Sequence, residues 1–235
     1  MPSPDSTSPA QTAVTSEDLQ TIYRNRFNST KAYRKKVWHV LNHNFFNRFV
    51  QPTDTVLDLG CGYGEFINQV EAGRKLGMDL NPDSPGYLDP SVQFLQQSCA
   101  DRWPLADGSL DVVLTSNFLE HLPDKAAVRE TLIQAQRCLR PGGRFIAMGP
   151  NLRYLTGVYW DFFDHHVALT ERSLQEALEM IGFEMEVVVG RFLPFTLVRQ
   201  FQYPLWCLKL YLRLPWIWWA FGRQFLVVAK RVSKN

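Results

Sequence analysis

The apolar positions of this chain fall into short runs divided by turn residues, and the period of each run predicts its element. Residues 55–59, Thr-Val-Leu-Asp-Leu, are apolar and β-branched at the start, the form of a strand buried in a parallel sheet. Runs at 75–80, 92–95, 111–115, 144–148, 183–189 and 224–229 predict six further strands. Glu65 to Val70 reads as the start of a helix directly after the first strand. Residues 125–139 set Val128, Leu132, Ile133 and Leu139 at helical spacing, and Arg140-Pro141-Gly142-Gly143 ends that helix. Another helix spans 171–181, opened by Thr170 and closed by Gly182. Nearer the N-terminus, Ser16-Glu17-Asp18 caps a helix carrying Leu19, Ile22, Tyr23 and Phe27. A second one over 29–49 turns Tyr33, Val37, Val40, Leu41, Phe45 and Phe46 inward. Strand and helix alternate, which predicts an α/β fold with a doubly wound, seven-stranded sheet.

Residues 1–15, rich in Ser, Pro and Thr, predict a disordered tail, 16–52 a helical cap, and 53–235 one domain. A length of 235 residues suits that division, and 46% hydrophobic residues suffice for a sizeable core. The net charge of +2 hides an asymmetry, because every charged side chain from Arg191 onward is basic and the preceding body is acidic. In that basic region, residues 192–222 form an insert between the sixth and seventh strands. It carries Phe195, Phe201, Tyr203, Trp206, Tyr211, Trp216, Trp218, Trp219 and Phe221, interrupted by Arg199, Lys209 and Arg213. It is too short and too polar to span a bilayer. Aromatics with cations and no acids fit a segment lying on an anionic membrane or a lid over a lipid-linked acceptor; packing on the core or a dimer contact is the other reading. A second basic cluster, Arg24, Arg26, Lys31, Arg34, Lys35 and Lys36, reads as a solvated face or as a contact to an anionic group. Nucleic acid does not suit the acidic body. Cys61, Cys99, Cys138 and Cys207 are scattered without a paired spacing, and the N-terminus has no apolar signal region, so a reducing cytosol is expected, with peripheral contact at the membrane's inner face.

The chemistry concentrates at T-V-L-D-L-G-C-G-Y-G-E-F, residues 55–66. Strand, glycine turn and helix start face backbone N–H groups toward a ligand at the strand's carboxyl end. Dinucleotide sites use G-x-G-x-x-G, whereas this turn is G-x-G-x-G. Asp58, two residues before the first glycine, suits a ligand bearing an ammonium or sulfonium better than one bearing two phosphates. Asp79 ends the second strand, where an acid reaches the ribose hydroxyls of a bound nucleoside, or else merely caps the turn before Asn81-Pro82.

In order and spacing, V-L-D-L-G-C-G-Y-G, M-D-L-N-P, A-D-x-W-P-L-A-D-G-S-L-D-V-V, S-N-F-L-E-H-L and L-R-P-G-G-R-F resemble the class I S-adenosylmethionine (SAM) dependent methyltransferases, a Rossmann-like fold, from about Thr55 to Lys230. The resemblance implies that Gly60, Cys61, Gly62 and Gly64 line the methionine and ribose part of SAM, with Asp58 near its amino group. It further implies that Asp79 and Leu80 meet the ribose, that Ala100 and Asp101 frame the adenine, and that Asn117, Glu120 and His121 stand at the mouth. Many relatives have Gly-Asp where this chain has Ser98-Cys99, which leaves Asp101 as the better adenine contact. W-D-F-F-D-H-H-V-A-L-T-E-R-S-L and the aromatic insert resemble, more narrowly, bacterial methyltransferases of surface polysaccharide and lipid biosynthesis.

Methyl transfer to a hydroxyl needs the proton removed. Asp164, His165, His166 and His121 are the candidate bases, since residues 151–166 follow the fifth strand at its carboxyl end; alternatively one His caps the helix near Thr170. His165 and His166 have no third metal ligand at a recognised spacing, so no metal is expected. The expected activity is methyl transfer from SAM to a hydroxyl of a glycan or lipid-linked acceptor. The alternatives are a small-molecule acceptor, a SAM-fold scaffold without catalysis, and an NAD-dependent oxidoreductase, the last disfavoured by the glycine spacing.

Overall fold

The computed structural model describes residues 30–195 and 202–232. The tail at 1–15 and the helix starting at Ser16, with Arg24 and Arg26, lie outside the described residues, as do Arg199, Phe201 and Lys234. Strands β1 (Thr55–Leu59), β2 (Arg74–Asp79), β3 (Val92–Gln96), β4 (Leu110–Ser116), β5 (Leu139–Pro150), β6 (Phe183–Val189) and β7 (Gln224–Arg231) form one seven-stranded sheet in the order β3-β2-β1-β4-β5-β7-β6. The pairs among β1 to β5 are parallel, and β7 runs antiparallel between β5 and β6.

Successive residues of the central strands serve opposite faces, as the period of two requires. Val113, Phe145 and Val227 enter one core with helices α2 (Lys125–Cys138) and α3 (Glu171–Met180). Their neighbours Val112, Ile146 and Val228 enter a second core with helix α1 (Lys31–Asn44). The edge strand β6 alternates buried or half-buried with exposed residues, because only one of its faces is covered. The α3 N-terminus is closed by a reciprocal pair in which the Thr170 hydroxyl accepts from Ser173 N–H at 3.2 Å and Ser173 accepts from Thr170 N–H at 3.0 Å. Neither His165 nor His166 takes part in that cap.

Three sequence expectations change in the fold. The helix expected from Glu65 is a series of turns. Asn68 spends its amide on Tyr87 O (2.9 Å) and Asp89 N–H (2.7 Å), and Gln69 Nε2 donates to Glu65 O (2.6 Å). Such lateral side-chain bonds compete with helix propagation in a crossover too short to nucleate one. The segment Arg140-Pro141-Gly142-Gly143 belongs to β5, which starts at Leu139 opposite Leu110 and shifts register before Val112. Helix α1 stops at Asn44, where Phe45 leaves the helical conformation (φ −138°, ψ −61°), and a 3₁₀ turn, Phe46–Arg48, follows; Phe45, Phe46 and Phe49 are all buried.

The insert resolves into α4 (Leu205–Arg213) and α5 (Pro215–Phe221), and it has two faces. Leu212 and Trp218 are buried in the α1 core, where Phe192 lies 4.5 Å from Phe45 and 5.0 Å from Trp218 between ring centroids. Tyr211 donates to Phe192 O (2.7 Å) and Trp218 donates to Tyr211 O (2.8 Å), so the polar ends of the buried aromatics are satisfied. The opposite face leaves Trp206, Leu210, Trp216, Trp219 and Phe221 exposed beside Lys209 and Arg213.

The two faces differ in what their truncation costs. Phe192→Ala empties a fully buried site (0% exposed) and is expected to lose about 3–5 kcal/mol. Trp216→Ala, at 73% exposure, is expected to stay within about 0.5 kcal/mol of the parent in urea unfolding. Equal losses would show that the outer face is also packed.

Candidate functional site

The parallel strands deliver their carboxyl ends to one edge of the sheet, and the glycine turn leaves β1 there. Gly60 and Cys61 donate their N–H groups to Met78 O at 2.9 and 3.1 Å, which folds the turn back over the end of β2. Gly62 N–H donates to Asp79 Oδ2 and Asn81 N–H to Asp79 Oδ1, both at 2.8 Å. Asp79 therefore holds the turn from below. Gly60 (φ 72°) and Gly62 (φ 48°) occupy the left-handed region, and a Cβ at Gly60 would fall inside the Phe118 ring. Asn117, at the end of β4, also sits left-handed (φ 50°), a conformation that asparagine tolerates better than most residues.

These pieces border one cavity. Its floor is the glycine turn with Asp58, one wall is Asn117, Glu120 and His121, and the opposite wall is Arg34 and Trp38 of α1. Phe162, His165 and Phe195 also line it. The floor is acidic. Burial pushes the Asp58 carboxyl well above its ordinary value, and the nearby Glu65 and Asp79 push it the same way. Burial also raises Asp79, against the N–H groups of Asn81 and Gly62. Arg34 is engaged by Glu65 at 3.0 Å. A cationic ligand would relieve this crowding of carboxylates, whereas a diphosphate would add to it.

A second constellation stands at the mouth. His121 Nδ1 lies 2.9 Å from Asp164 O and 3.2 Å from Asp164 Oδ2, while its Nε2 faces Glu120 Oε1 at 3.9 Å. His165 stacks on Phe162 (4.8 Å, 25°) and meets His121 edge-on at 4.9 Å. The loop is pinned by backbone, because His166 and Val167 donate their N–H groups to Glu120 O at 2.8 and 3.1 Å. Tyr159 adds a hydrogen bond to Val167 O. One ligand-type atom from each of Glu120, His121 and His165 lies within 4.8 Å of the others. The fold thus sets beside His165 two groups, Glu120 and His121, that sequence spacing did not associate with it.

Burial pushes the Glu120 carboxyl up, opposed by His121. For His121, burial acts downward, but the hydrogen bond it donates to Asp164 and the charges of Glu120 and Asp164 outweigh it and hold the imidazole above its ordinary value.

Of the residues named from sequence, Asp58, Gly60, Cys61, Gly62, Asn117, Glu120, His121 and His165 meet at the cavity. Gly64 and Asp79 support it without lining it, and Asp164 acts on it through His121. Leu80 and Asp101 are exposed, Ala100 is half-buried, and none of the three lines it; His166 exposes its side chain outside it. Cys99 explains the Ser98-Cys99 departure, since its thiol accepts from Thr131 in the core (3.3 Å) and burial, opposed by that bond, pushes it up to about 11. Sequence reading missed Trp38, Tyr63, Glu65, Phe66, Ser116, Phe162, Phe195 and Gln224 at the cavity, and gave Arg34 to a basic cluster read as a solvated face or as a contact to an anionic group. Arg34 and Trp38 are four apart on α1, a spacing that could have marked a shared face. Of that cluster, Lys35 and Lys36 are solvated, and Lys31 stands 4.0 Å over the Tyr87 ring.

Comparison with known proteins adds independent findings. A family described as a methyltransferase domain matches residues 31–188. A probable S-adenosylmethionine-dependent methyltransferase of Mycolicibacterium smegmatis is 33% identical over 144 residues, 58% of this chain and 54% of that protein. The chain spans about half or less of the length of the curated relatives it matches. In structure it is similar to a SAM-dependent methyltransferase of Archaeoglobus fulgidus, with TM-score 0.64 and 19% identity over 91% of this chain and 99% of that one. It is also similar to a chain solved in the complex described as that between the Haloferax volcanii Trm112 methyltransferase activator and the putative methyltransferase, with TM-score 0.67 and 20% identity over 90% of this chain and 97% of that one.

The raised His121 value predicts a pH dependence. Its proton is held more tightly in the folded chain, so the stabilisation is complete below the unfolded histidine value of about 6.5. It is lost as pH rises through the higher folded value. Asp164→Asn removes the hydrogen-bonding carboxylate, and the His121 titration followed by NMR should move down. The alkaline fall of unfolding free energy should flatten with it; identical pH slopes in both proteins would detach Asp164 from His121.

Proposed function

This chain belongs to the methyltransferase domain family and has the class I fold of SAM-dependent methyltransferases; from that premise we propose that it methylates a hydroxyl of a glycan or lipid-linked acceptor with SAM as donor. The observation that carries the cofactor half is the acidic floor under a left-handed glycine turn, where the guanidinium lining the cavity among the described residues, Arg34, is already held by Glu65. That floor fits an ammonium and a sulfonium and disfavours a dinucleotide.

SAM supplies a sulfonium methyl that the acceptor oxygen takes by in-line displacement, the carbon–sulfur pair leaving on sulfur. The chain's part is to hold and orient. Asp58 would face the ammonium, the glycine turn would admit the ligand against backbone, and Asn117 lines the same cavity. Positioning of the acceptor against the methyl group contributes much of the rate. The hydroxyl proton is taken at the wall formed by His121 and His165, with Asp164 fixing the His121 tautomer. His166 lies outside this arrangement.

The acceptor half rests on the outer face of the insert. Trp206, Trp216, Trp219 and Phe221 project with Lys209 and Arg213 where no acid interrupts the chain from Arg191 onward. Aromatics of this kind settle at the headgroup level, and the cations favour anionic lipid. No helix among the described residues is long and apolar enough to cross a membrane, so the contact read here is peripheral. Phe195, at the foot of the insert, meets Phe162 over the cavity (5.9 Å) and links the membrane-facing element to the mouth. A lipid-linked glycan resting at that surface would present its hydroxyl to His121 and His165.

In calorimetry the protein is expected to bind SAM and S-adenosylhomocysteine at micromolar levels, with no heat from NAD; binding of NAD alone would overturn the cofactor reading. A Trp206→Ser, Trp216→Ser, Trp219→Ser variant should lose most sedimentation with phosphatidylglycerol vesicles while keeping SAM affinity. Sedimentation unchanged from the parent would end the membrane reading.

A further inference from the structure

We infer that Glu120, His121 and His165 form a binding site for a divalent first-row transition ion at the mouth of the cavity. The inference rests on the reading that an acceptor hydroxyl enters there. Three observations converge on it. A carboxylate and two imidazoles present ligand atoms within 4.8 Å of one another, although His165 is far from the other two in sequence. Zinc and iron sites are built from this combination, with three protein ligands and positions left open.

The second observation is the orientation of His121. Its Nδ1 is committed to Asp164, through the carbonyl at 2.9 Å and the carboxylate at 3.2 Å, and Nε2 is thereby turned toward Glu120. A carboxylate or carbonyl behind one ring nitrogen is the arrangement that fixes tautomer and aim in metal-binding histidines. The Phe162 stack and the Tyr159 edge contact (4.8 Å) hold the His165 ring in its turn.

The third is the charge of Glu120. It is 2% exposed and lines the cavity, and among the described residues no lysine or arginine lies within ion-pair distance of it. A buried carboxylate of this kind is stabilised by a cation or by a proton. The mainchain bonds from His166 and Val167 to Glu120 O fix the separation of the two ligand segments, so the set does not depend on loose side-chain placement. Two nitrogens in a set of three favour a transition ion over Mg²⁺ or Ca²⁺, which take oxygen-rich shells.

Such an ion deepens the proposed reaction. The acceptor hydroxyl binds an open position, the ion lowers its pKa, and its proton passes to water. The resulting oxygen nucleophile then forms the bond to the methyl carbon as the carbon–sulfur bond breaks. In this role His165 and His121 are ligands, and the ion does the work assigned above to a base.

Full-length protein stripped with EDTA would be titrated with Co²⁺, Zn²⁺ and Mg²⁺ by calorimetry, with visible absorption followed for Co²⁺. The expected result is one Co²⁺ per chain with d–d bands, displacement by Zn²⁺, and no saturable heat from Mg²⁺. Glu120→Gln and His165→Gln should each weaken Co²⁺ binding by more than tenfold, and Asp164→Asn by about 10–100-fold through its hold on His121. Folding of each variant is checked by circular dichroism. A wild-type protein that takes neither Co²⁺ nor Zn²⁺ overturns the site whatever the variants do, and so does affinity unchanged in folded Glu120→Gln and His165→Gln. SAM titrated into the same samples separates the two readings. SAM binding without ion binding removes only the ion, and ion binding without SAM binding supports the site while overturning the cofactor.

Discussion

The Asp79 carboxylate accepts the N–H groups of Gly62 and Asn81, and this pair of hydrogen bonds ties the glycine turn to the end of the second strand. Glycine makes the left-handed backbone of the turn available at little cost, and the bond from Gly62 to Asp79 fixes where the turn lies over the strand end. The floor of the cavity, the approach of Asp58 and the course of the crossover into β2 all depend on the turn. Asp79 is consequently a support of the site rather than part of its surface. The ribose contact expected of it would require an oxygen that still has capacity to accept, which a carboxylate with two filled positions retains through its remaining lone pairs.

Burial dominates the electrostatics of the floor, and the neighbouring carboxylates add to it. Asp58, Asp79 and Glu65 crowd the floor, and each added negative charge makes the next costlier to bury. Arg34 answers Glu65 from α1, so the helical segment before the first strand is part of the site's wall. The insert completes the same face of the sheet. Phe45, which follows α1, Phe192 and Trp218 of α5 form one aromatic contact that packs the insert against the helical segment bearing the cavity wall.

At the mouth, a mainchain oxygen does what side chains usually do elsewhere. Glu120 O receives two N–H groups from the 166–167 segment, and this brings Asp164 and His165 beside His121. The bonds are backbone to backbone, so no residue type in either segment announces them. That is why the pairing of these groups is invisible to motif reading.

The order of strands and helices was legible from period alone, since burial on one or both faces of a sheet dictates the spacing of apolar residues. Asp58, Gly60 and Gly62 were legible because a left-handed turn against a ligand demands glycine, and a cationic ligand demands an acid. The helix expected after Gly64 was not, because Asn68 and Gln69 choose partners elsewhere in the fold. Nor was the division of the insert into a buried face of Leu212 and Trp218 and an exposed one of Trp206, Trp216 and Trp219. The amino-acid sequence by itself determined which local conformations and charges were available. Tertiary structure alone decided which distant groups meet, because those contacts are made by closing long loops through mainchain bonds and shared burial, which leave no local pattern.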